Sequence, residues 1–508
     1  MISDANRSDL PNPFQSAQPA VAALGHYGAL AGFVLYAMFA PHSVAAADIS
    51  MAIATIGWLV RTIANGRTGV RHTEFDVPLV LFLLWTAASS FLSVEPAISI
   101  AKLQASWAPL AFYVTQAVVT RRTAVLLACV LILSGVSGSL YSVYDLIRGR
   151  GVVVESLSGD SPFRSIDVHE GDTIWRVAGH RIYSTGEIDE IVKGLEPGKP
   201  VTISLITSGE QVERPGFVVS SEVRNRLSPS GVFGSHSLHL FRASGWTRHY
   251  ETFSEMLQVV AQLALGLALA NLRNHGFNIR FRIAIVASTL LATGIALTAM
   301  RTVLFAFAIG ACFLVWQTLR GRARLVLSGA IATILVVGAV VVWQTRAQNA
   351  LSFHDPSSTL RVQVARVGVR RIMDHPIFGH GMDAMHKHWN EWGFPGKDML
   401  HLHSTPLQIA FDRGLPALGF WLWIVGLFWF RAYHSAQAAK DSSDTNRYGL
   451  LLGILGAATG FFVSSLVNYN FGDAEVALLF WWLLGVLVEC SSPRVKEVCL
   501  VSKSPIQG

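Results

Sequence analysis

Stretches of apolar residues close to the ~20 needed to cross a bilayer recur along the chain. About twelve can be drawn, at 20–40, 44–60, 77–93, 98–119, 123–147, 252–271, 281–300, 302–319, 325–343, 414–430, 448–467 and 474–489. The pattern changes between the fifth and the sixth. Val152–Glu155 and Val201–Ile206 are β-branched runs bounded by Gly and Pro, the mark of short strands. Between them Ile188, Ile191, Val192 and Leu195 recur at helical spacing, and Gly194 and Pro197-Gly198 end that helix. The expected architecture is an all-α polytopic membrane protein of about 12 transmembrane helices with one inserted small α/β domain. It divides into a membrane region of five spans (1–147), the insert (148–222), a connector (223–250), four spans (251–343), a second large loop (344–404), three spans (405–490) and a tail (491–508).

Composition agrees with that division. Charged residues make up 14% of the 508 positions and hydrophobic ones 51%, against roughly 25% charged in an average soluble chain. Of the 40 basic and 33 acidic residues, 22 fall within 148–226. A soluble enzyme, a disulfide scaffold and a disordered chain are thereby excluded. The four cysteines have neither metal-ligand nor disulfide spacing, and residues 1–18 lack the pattern of a cleavable signal. The basic residues sort by side. If the amino end is cytoplasmic, Arg61, Arg67, Arg71, Arg121, Arg122, Arg273, Arg280, Arg320, Arg322, Arg324, Arg431, Lys440, Arg447, Arg494 and Lys496 all face inward. The opposite short connections (41–43, 94–97, 468–473) have no Lys or Arg, and Arg301 is the exception. Both termini are therefore expected inside, and the net charge of +7 reflects topology rather than nucleic-acid binding.

The second outer loop carries the candidate chemistry. His354-Asp355-Pro356-Ser357 signals a helix start, with Asp355 or Ser357 as cap, and His375-Pro376 and the glycines of FGHG (378–381) signal its end. Val362, Ala365, Val369 and Ile372 are expected on one apolar arc, with Arg370 opposite and Arg361 at its edge. A guanidinium there either binds an anion near the helix amino end, snorkels to lipid headgroups, or pairs with an outer-loop carboxylate. Arg301 interrupts GIALTAMRTVLFAFAIG (294–310) at the outer boundary, where an ionisable residue is a functional candidate or an interfacial anchor. Six of the 17 histidines lie between 375 and 403: His375, His380, His386, His388, His401 and His403. No acidic or Cys ligand stands at a zinc-site spacing beside them, so no metal or cofactor is expected. His403 precedes Ser404 and Pro406, which start a helix, and a helix amino end keeps an imidazole neutral and able to accept a proton.

Two resemblances follow from these stretches. GVVVESLSGDSPF (151–163), EGDTIWRVAGHRI (170–182), the helix and PGKPVTISLI (197–206) resemble in order and spacing a PDZ domain of the bacterial protease-associated type. That would add a peptide strand to a sheet edge, with a protein partner as one implied role and structural docking as the other. HLHSTPLQIAFDRGLPALGF (401–420) resembles the signature of the O-antigen ligase and polymerase superfamily. LRVQVARVGVRRIMDHPIFGHGMDAM (360–385) is similar to its outer-loop helix, RFRIAIVASTLLATGIALTAMRT (280–302) to its Ser-Arg span pair, and RASGWTRHYETFSEML (242–257) to the segment entering the sixth span. Ser404 stands where Asn is usual, and Asp412-Arg413 where Glu-Leu is usual.

The second resemblance implies a bacterial inner-membrane enzyme with its active face in the periplasm. Such an enzyme moves a glycan from an undecaprenyl-diphosphate carrier to an acceptor hydroxyl, on lipid A-core, a growing glycan or a protein. Arg301 and Arg361 match the diphosphate-holding positions and His403 the base, with Arg242, His401 and Arg366 as supporting residues. No Asp-x-Asp stands in the first outer connection, so the reaction is expected to be metal-independent and, as a single displacement, inverting. Ligation, polymerisation and protein O-glycosylation stay open. A lipid-linked glycan transporter and a membrane-tethered PDZ adaptor are the readings of other classes.

Overall fold

The computed structural model describes residues 13–491, apart from 208–209, 235, 240, 248, 332, 334–355 and 397. Helices dominate: α1 (Pro13–Phe39), α2 (Val44–Asn65), α3 (Asp76–Leu92), α4 (Pro96–Lys102), α5 (Leu110–Val118) and α6 (Arg121–Arg148) precede the insert. Within the insert lie α7 (Thr185–Gly194) and the one-turn α8 (Ser221–Arg224); α9 (Tyr250–His275), α10 (Ile279–Leu297), α11 (Arg301–Thr318) and α12 (321–331) follow. The last group is α13 (Pro356–Asp374), α14 (Ala384–Lys387), α15 (Thr405–Ala439), α16 (Thr445–Ser465) and α17 (Ala474–Ser491).

Among the described residues nine helices are long and apolar enough to span a membrane, fewer than the twelve expected. The chain is a multi-pass membrane protein. The run 98–119 is not one span: α4 passes into a 3-10 turn at Leu103–Trp107, and α5 begins only after Pro109. Proline lacks the N–H that a continuous helix needs. α3 is apolar but short, at 17 residues, and most of 325–343 lies outside the described residues, as do His354, Asp355 and the tail from 492.

α9 is the hub of the bundle. It packs against α16, α10, α11 and α6, and the most apolar part of it is enclosed by protein. Close approach to α16 depends on small residues. A Cβ on Gly266 would lie 2.2 Å from the Gly453 backbone nitrogen, and it is such absences that let helices touch where lipid provides no hydrophobic drive.

The insert holds an antiparallel sheet in the order β1 (Val152–Val153), β3 (Thr173–Val177), β5 (Val201–Thr207), β6 (Glu210–Phe217), with β4 (His180–Arg181) also on β3. Ile188 and Val192 of α7 bury against it. β2 (Ser156–Leu157) pairs with β7 (Val232–Phe233). Further along, Val153 N–H donates to the His236 carbonyl, and Arg150 and Leu238 exchange both backbone bonds. Residues 230–238 thus line the strand that opens the insert. Asp189 of α7 fastens their near end, accepting from the Ser230 amide at 2.9 Å and the Ser228 hydroxyl at 3.0 Å. The root is ionic: Asp145, buried at the end of α6, bonds Arg150 and lies 3.5 Å from Arg181.

The insert, α13 and α14 gather at one end of the bundle. There Glu95, just before α4, accepts from Lys387 at 2.9 Å and His388 at 2.6 Å. The other end collects Arg71 with Glu489, Arg273 with Asp441 and Arg447 with the Cys490 carbonyl.

Candidate functional site

The loop entering α15 holds two non-glycine residues in the left-handed region, Leu400 at φ +65 and His403. His403 takes φ +52, a conformation few side chains other than glycine, Asn and Asp adopt. Both flanks explain why it stays. Leu402 on one side is buried against Gly368 of α13, where a Cβ would come within 2.6 Å of it, and its amide donates to Gln408 Oε1 at 2.7 Å. On the other side Thr405 donates its amide and its hydroxyl to the Asn468 carbonyl, at 3.0 and 3.2 Å, and the hydroxyl also reaches Asn470. Ser404 begins the helix without capping it through its side chain.

Held this way, His403 Nε2 is enclosed and has no hydrogen-bond partner among the described residues. Its ring lies 4.4 Å from that of His401, which lies 5.5 Å from Tyr469. Burial, then the positive charge of Arg361, then His401 push His403 down to about 3, so its imidazole is neutral across the physiological range. His401 is lowered as well, chiefly by burial. Arg361 is half-buried. Its Nη2 lies 3.7 Å from Glu251 at the start of α9, and its Nε is enclosed without an acceptor. The carboxylate it meets, loosely, thus lies in the first turn of α9 and not in a loop. Asp473, nearby in the electrostatics of Glu251, accepts from Thr252 at 2.7 Å and is raised above the usual carboxylate range by burial.

The other expected residues divide. Arg301 opens α11, and its neighbour Thr302 exchanges hydrogen bonds with Asn468, the residue that also receives Thr405. Arg242 lies over the Tyr250 ring at 4.3 Å, with its Nε enclosed and unpartnered. Arg366 is exposed on α13 and joins none of these contacts. The apolar arc expected of α13 holds only in part: Ile372 buries, but Val362 and Val369 are 52% and 48% exposed, and Val364, off that arc, buries instead. Gly368, neutral in any hydrophobicity count, makes the buried face by admitting Leu402. Among the remaining histidines, His380 is structural, stacked on Phe411 and bonded to the Arg371 carbonyl at 2.8 Å. His386 and His388 pair with Asp398 and with Glu95 and Glu391. Among the described residues no group of three or more His, Cys, Asp or Glu side chains is placed to hold a metal.

Glu251, Asn468, Tyr469 and Asp473 were not singled out by the sequence. The one available signal was the polar run NYNFGD (468–473) between two apolar spans.

Behind the loop, α15 is two helices joined at a kink. Gly414 has φ +83 and breaks it. The carbonyls released at Phe411 and Asp412 receive the amides of His380 and Gly381, at 2.8 and 3.0 Å, and the Leu415 amide donates to Pro376 at 2.7 Å. The turn after α13 is thus bonded into the break. A half-helix, a bonded turn and a loop carrying His403 form one unit.

Residues 286–422 match the O-antigen ligase family. The match runs from α10 to the middle of α15, well short of half the chain, and takes in Arg301, Arg361, His403 and the Gly414 break. It supports the O-antigen ligase superfamily, and with it a glycosyltransferase-like ligase activity. The family suggests a lipid-linked glycan and an acceptor, met in a membrane. The insert and Arg242 lie outside the match. No curated protein matches the chain.

Proposed function

We propose that the chain transfers a glycan from an undecaprenyl-diphosphate carrier to an acceptor hydroxyl, on the periplasmic face of a bacterial inner membrane, with both termini cytoplasmic. The observation that carries this reading is His403: a neutral imidazole with an enclosed, unpartnered nitrogen, held in a strained loop beside Arg361 within the ligase match.

The acceptor oxygen attacks the anomeric carbon as the bond from that carbon to the diphosphate oxygen breaks. The bonding pair leaves with the diphosphate, and His403 takes the acceptor proton. Configuration inverts. Arg361 and Arg301 hold the diphosphate, where charge grows most as the bond breaks. A guanidinium fork grips phosphate oxygens at about 2.7–2.9 Å, closer than Glu251 stands now, so a bound diphosphate displaces that loose ion pair. The free imidazole is a weak base because burial, and after it the positive charge of Arg361, depress it. A diphosphate on Arg361 cancels part of that positive field and raises the base toward working strength, coupling proton removal to donor binding. Arg242 and His401 support the site from its edges, and no metal takes part.

The acceptor, whether lipid A-core, a growing glycan or a protein, is left open by this chemistry. The insert reads best as a docking module: residues 230–238 already cover the strand that a PDZ-type peptide would join. The test is transfer in vitro from a purified lipid-diphosphate glycan. His403→Ala should abolish transfer, by at least 100-fold, while the protein inserts and accumulates normally. Near-wild-type transfer would place the base elsewhere, and activity lost in excess EDTA and restored by a divalent ion would refute metal independence.

A further inference from the structure

A cavity of about 600 Å³ adjoins the site through His401, and Arg361 is not among the residues that line it. His401 stands in its wall, with its ring against His403. The remaining wall is shared by α3, the segment 102–109, the first half of α15 and the start of α17. It mixes aromatic surface (Phe82, Trp107) with charge (Lys102, Asp48, Asp412, Arg413).

The charges are not equally committed. Lys102 and Asp383 pair at 2.9 Å, and Asp412 accepts from Gln408 at 2.8 Å. Arg413 feels the charge of Asp412 but donates to no carboxylate among the described residues. Its Nη2 meets the Met382 sulfur at 3.0 Å, a weak acceptor, while Nε and Nη1 are enclosed with none. Its guanidinium also lies 5.6 Å from the centre of the Phe82 ring. A guanidinium enclosed beside a cavity with donors unserved is costly unless something that enters the cavity serves it.

We propose that this cavity binds an anionic sugar of the acceptor, with Arg413 as the residue that selects its carboxylate or phosphate group. Trp107 and Phe82 supply apolar faces for the C–H side of a sugar ring, and Asp48 Oδ1, enclosed without a partner, accepts from a sugar hydroxyl. A sugar seated there lies beside His401 and so within one ring of the proposed base. Only the word acceptor rests on the transfer reading; the anion site stands on the cavity itself.

Binding therefore tests it without any turnover. Full-length protein in lipid nanodiscs is titrated with digalacturonate, its dimethyl ester and inorganic phosphate. Wild type should bind digalacturonate at least ten-fold more tightly than the uncharged ester, and Arg413→Leu and Arg413→Gln should bind both alike. Competition by phosphate assigns the site to phosphorylated sugars as well; no competition assigns it to carboxylates. Equal binding of acid and ester by wild type, or a preference that survives in Arg413→Leu, overturns the proposal. Thermal stability separates ligand selection from a structural role: Arg413→Leu should melt no lower than wild type, and a clear fall would mark Arg413 as structural and sink the idea. A preference unchanged in Arg413→Leu leaves the transfer reading standing, whereas the His403 assay fails or succeeds independently of Arg413.

Discussion

His403 combines two properties that single substitutions can separate, a left-handed backbone and an unpartnered imidazole. Asparagine adopts the left-handed region readily, so His403→Asn should keep the loop and lose the base, and glycan transfer should fall as far as in the alanine variant. The acid side of the pH profile follows from charge. With His403 near 3 in the free protein, kcat/KM should not lose the base form between pH 8 and 5. Arg361→Gln removes the second of the lowering causes while burial, the larger, remains, so the acid limb should move up in pH from its wild-type position below 5. An acid limb that does not move at all in Arg361→Gln would disconnect the two residues. Stability has a matching sign. The folded imidazole is depressed and the unfolded one is not, so its contribution is present above about pH 6.5 and is lost as pH falls toward 3. At this scale the sequence displayed His403 and Arg361 because an imidazole before a helix start and a guanidinium at the edge of an apolar arc are visible in one dimension. Glu251, Asn468 and Tyr469 were not visible, because their roles come from contacts across more than sixty positions of chain.

Element boundaries were legible wherever a breaker marked them. His375-Pro376 follows the last residue of α13, and Gly414 stands where the sequence placed the outer edge of a span. What lay hidden was that a half-helix precedes Gly414 across a kink, with the turn 376–381 bonded into the gap. Neither a hydrophobic run nor a propensity records whose amide serves a freed carbonyl. The α13 arc held only in part for a related reason, since partner shape selected the buried face: Leu402 needs the missing side chain of Gly368. The break makes a sharp prediction. A Cβ on Gly414 would sit 1.9 Å from the Ile377 carbonyl oxygen, in a backbone region costly to any L side chain. Gly414→Ala should cost about 2 kcal/mol or more from backbone strain alone, read as a lowered melting temperature, and should reduce transfer through the displaced His403 loop. Gly419→Ala, five positions on and with open space around it, is the control and should leave both unchanged.

At the scale of the whole molecule the charge-poor chain is sorted into a bundle, the unit that carries His403 and the insert, and whether the insert is needed for chemistry discriminates enzyme from adaptor. The geometry of its root permits a clean excision. Arg150 and Leu238 face each other across an antiparallel pair and exchange both backbone bonds, at 2.8 and 3.2 Å, so their Cα atoms are about 5.5 Å apart. A two-residue Asn-Gly turn spans that gap with the twist of a natural hairpin. Replacing 151–237 by Asn-Gly therefore leaves α6 and α9 where they are and keeps the ion pair of Arg150 with Asp145. The excision uncovers Leu146 and Phe241, which Trp175 and Ile206 now shield; losing that burial costs about 2–3 kcal/mol, tolerable for a bundle centred on an enclosed α9. The shortened protein should still insert, remain monodisperse and transfer glycan to a soluble acceptor at a rate within about ten-fold of the full chain, a loss of about 1.4 kcal/mol. An adaptor would lose all function with the insert. Complete loss of transfer by a well-folded excision variant would mean that the insert contributes to the unit that carries His403, and would transfer the search for the acceptor site to the face it shares with the bundle.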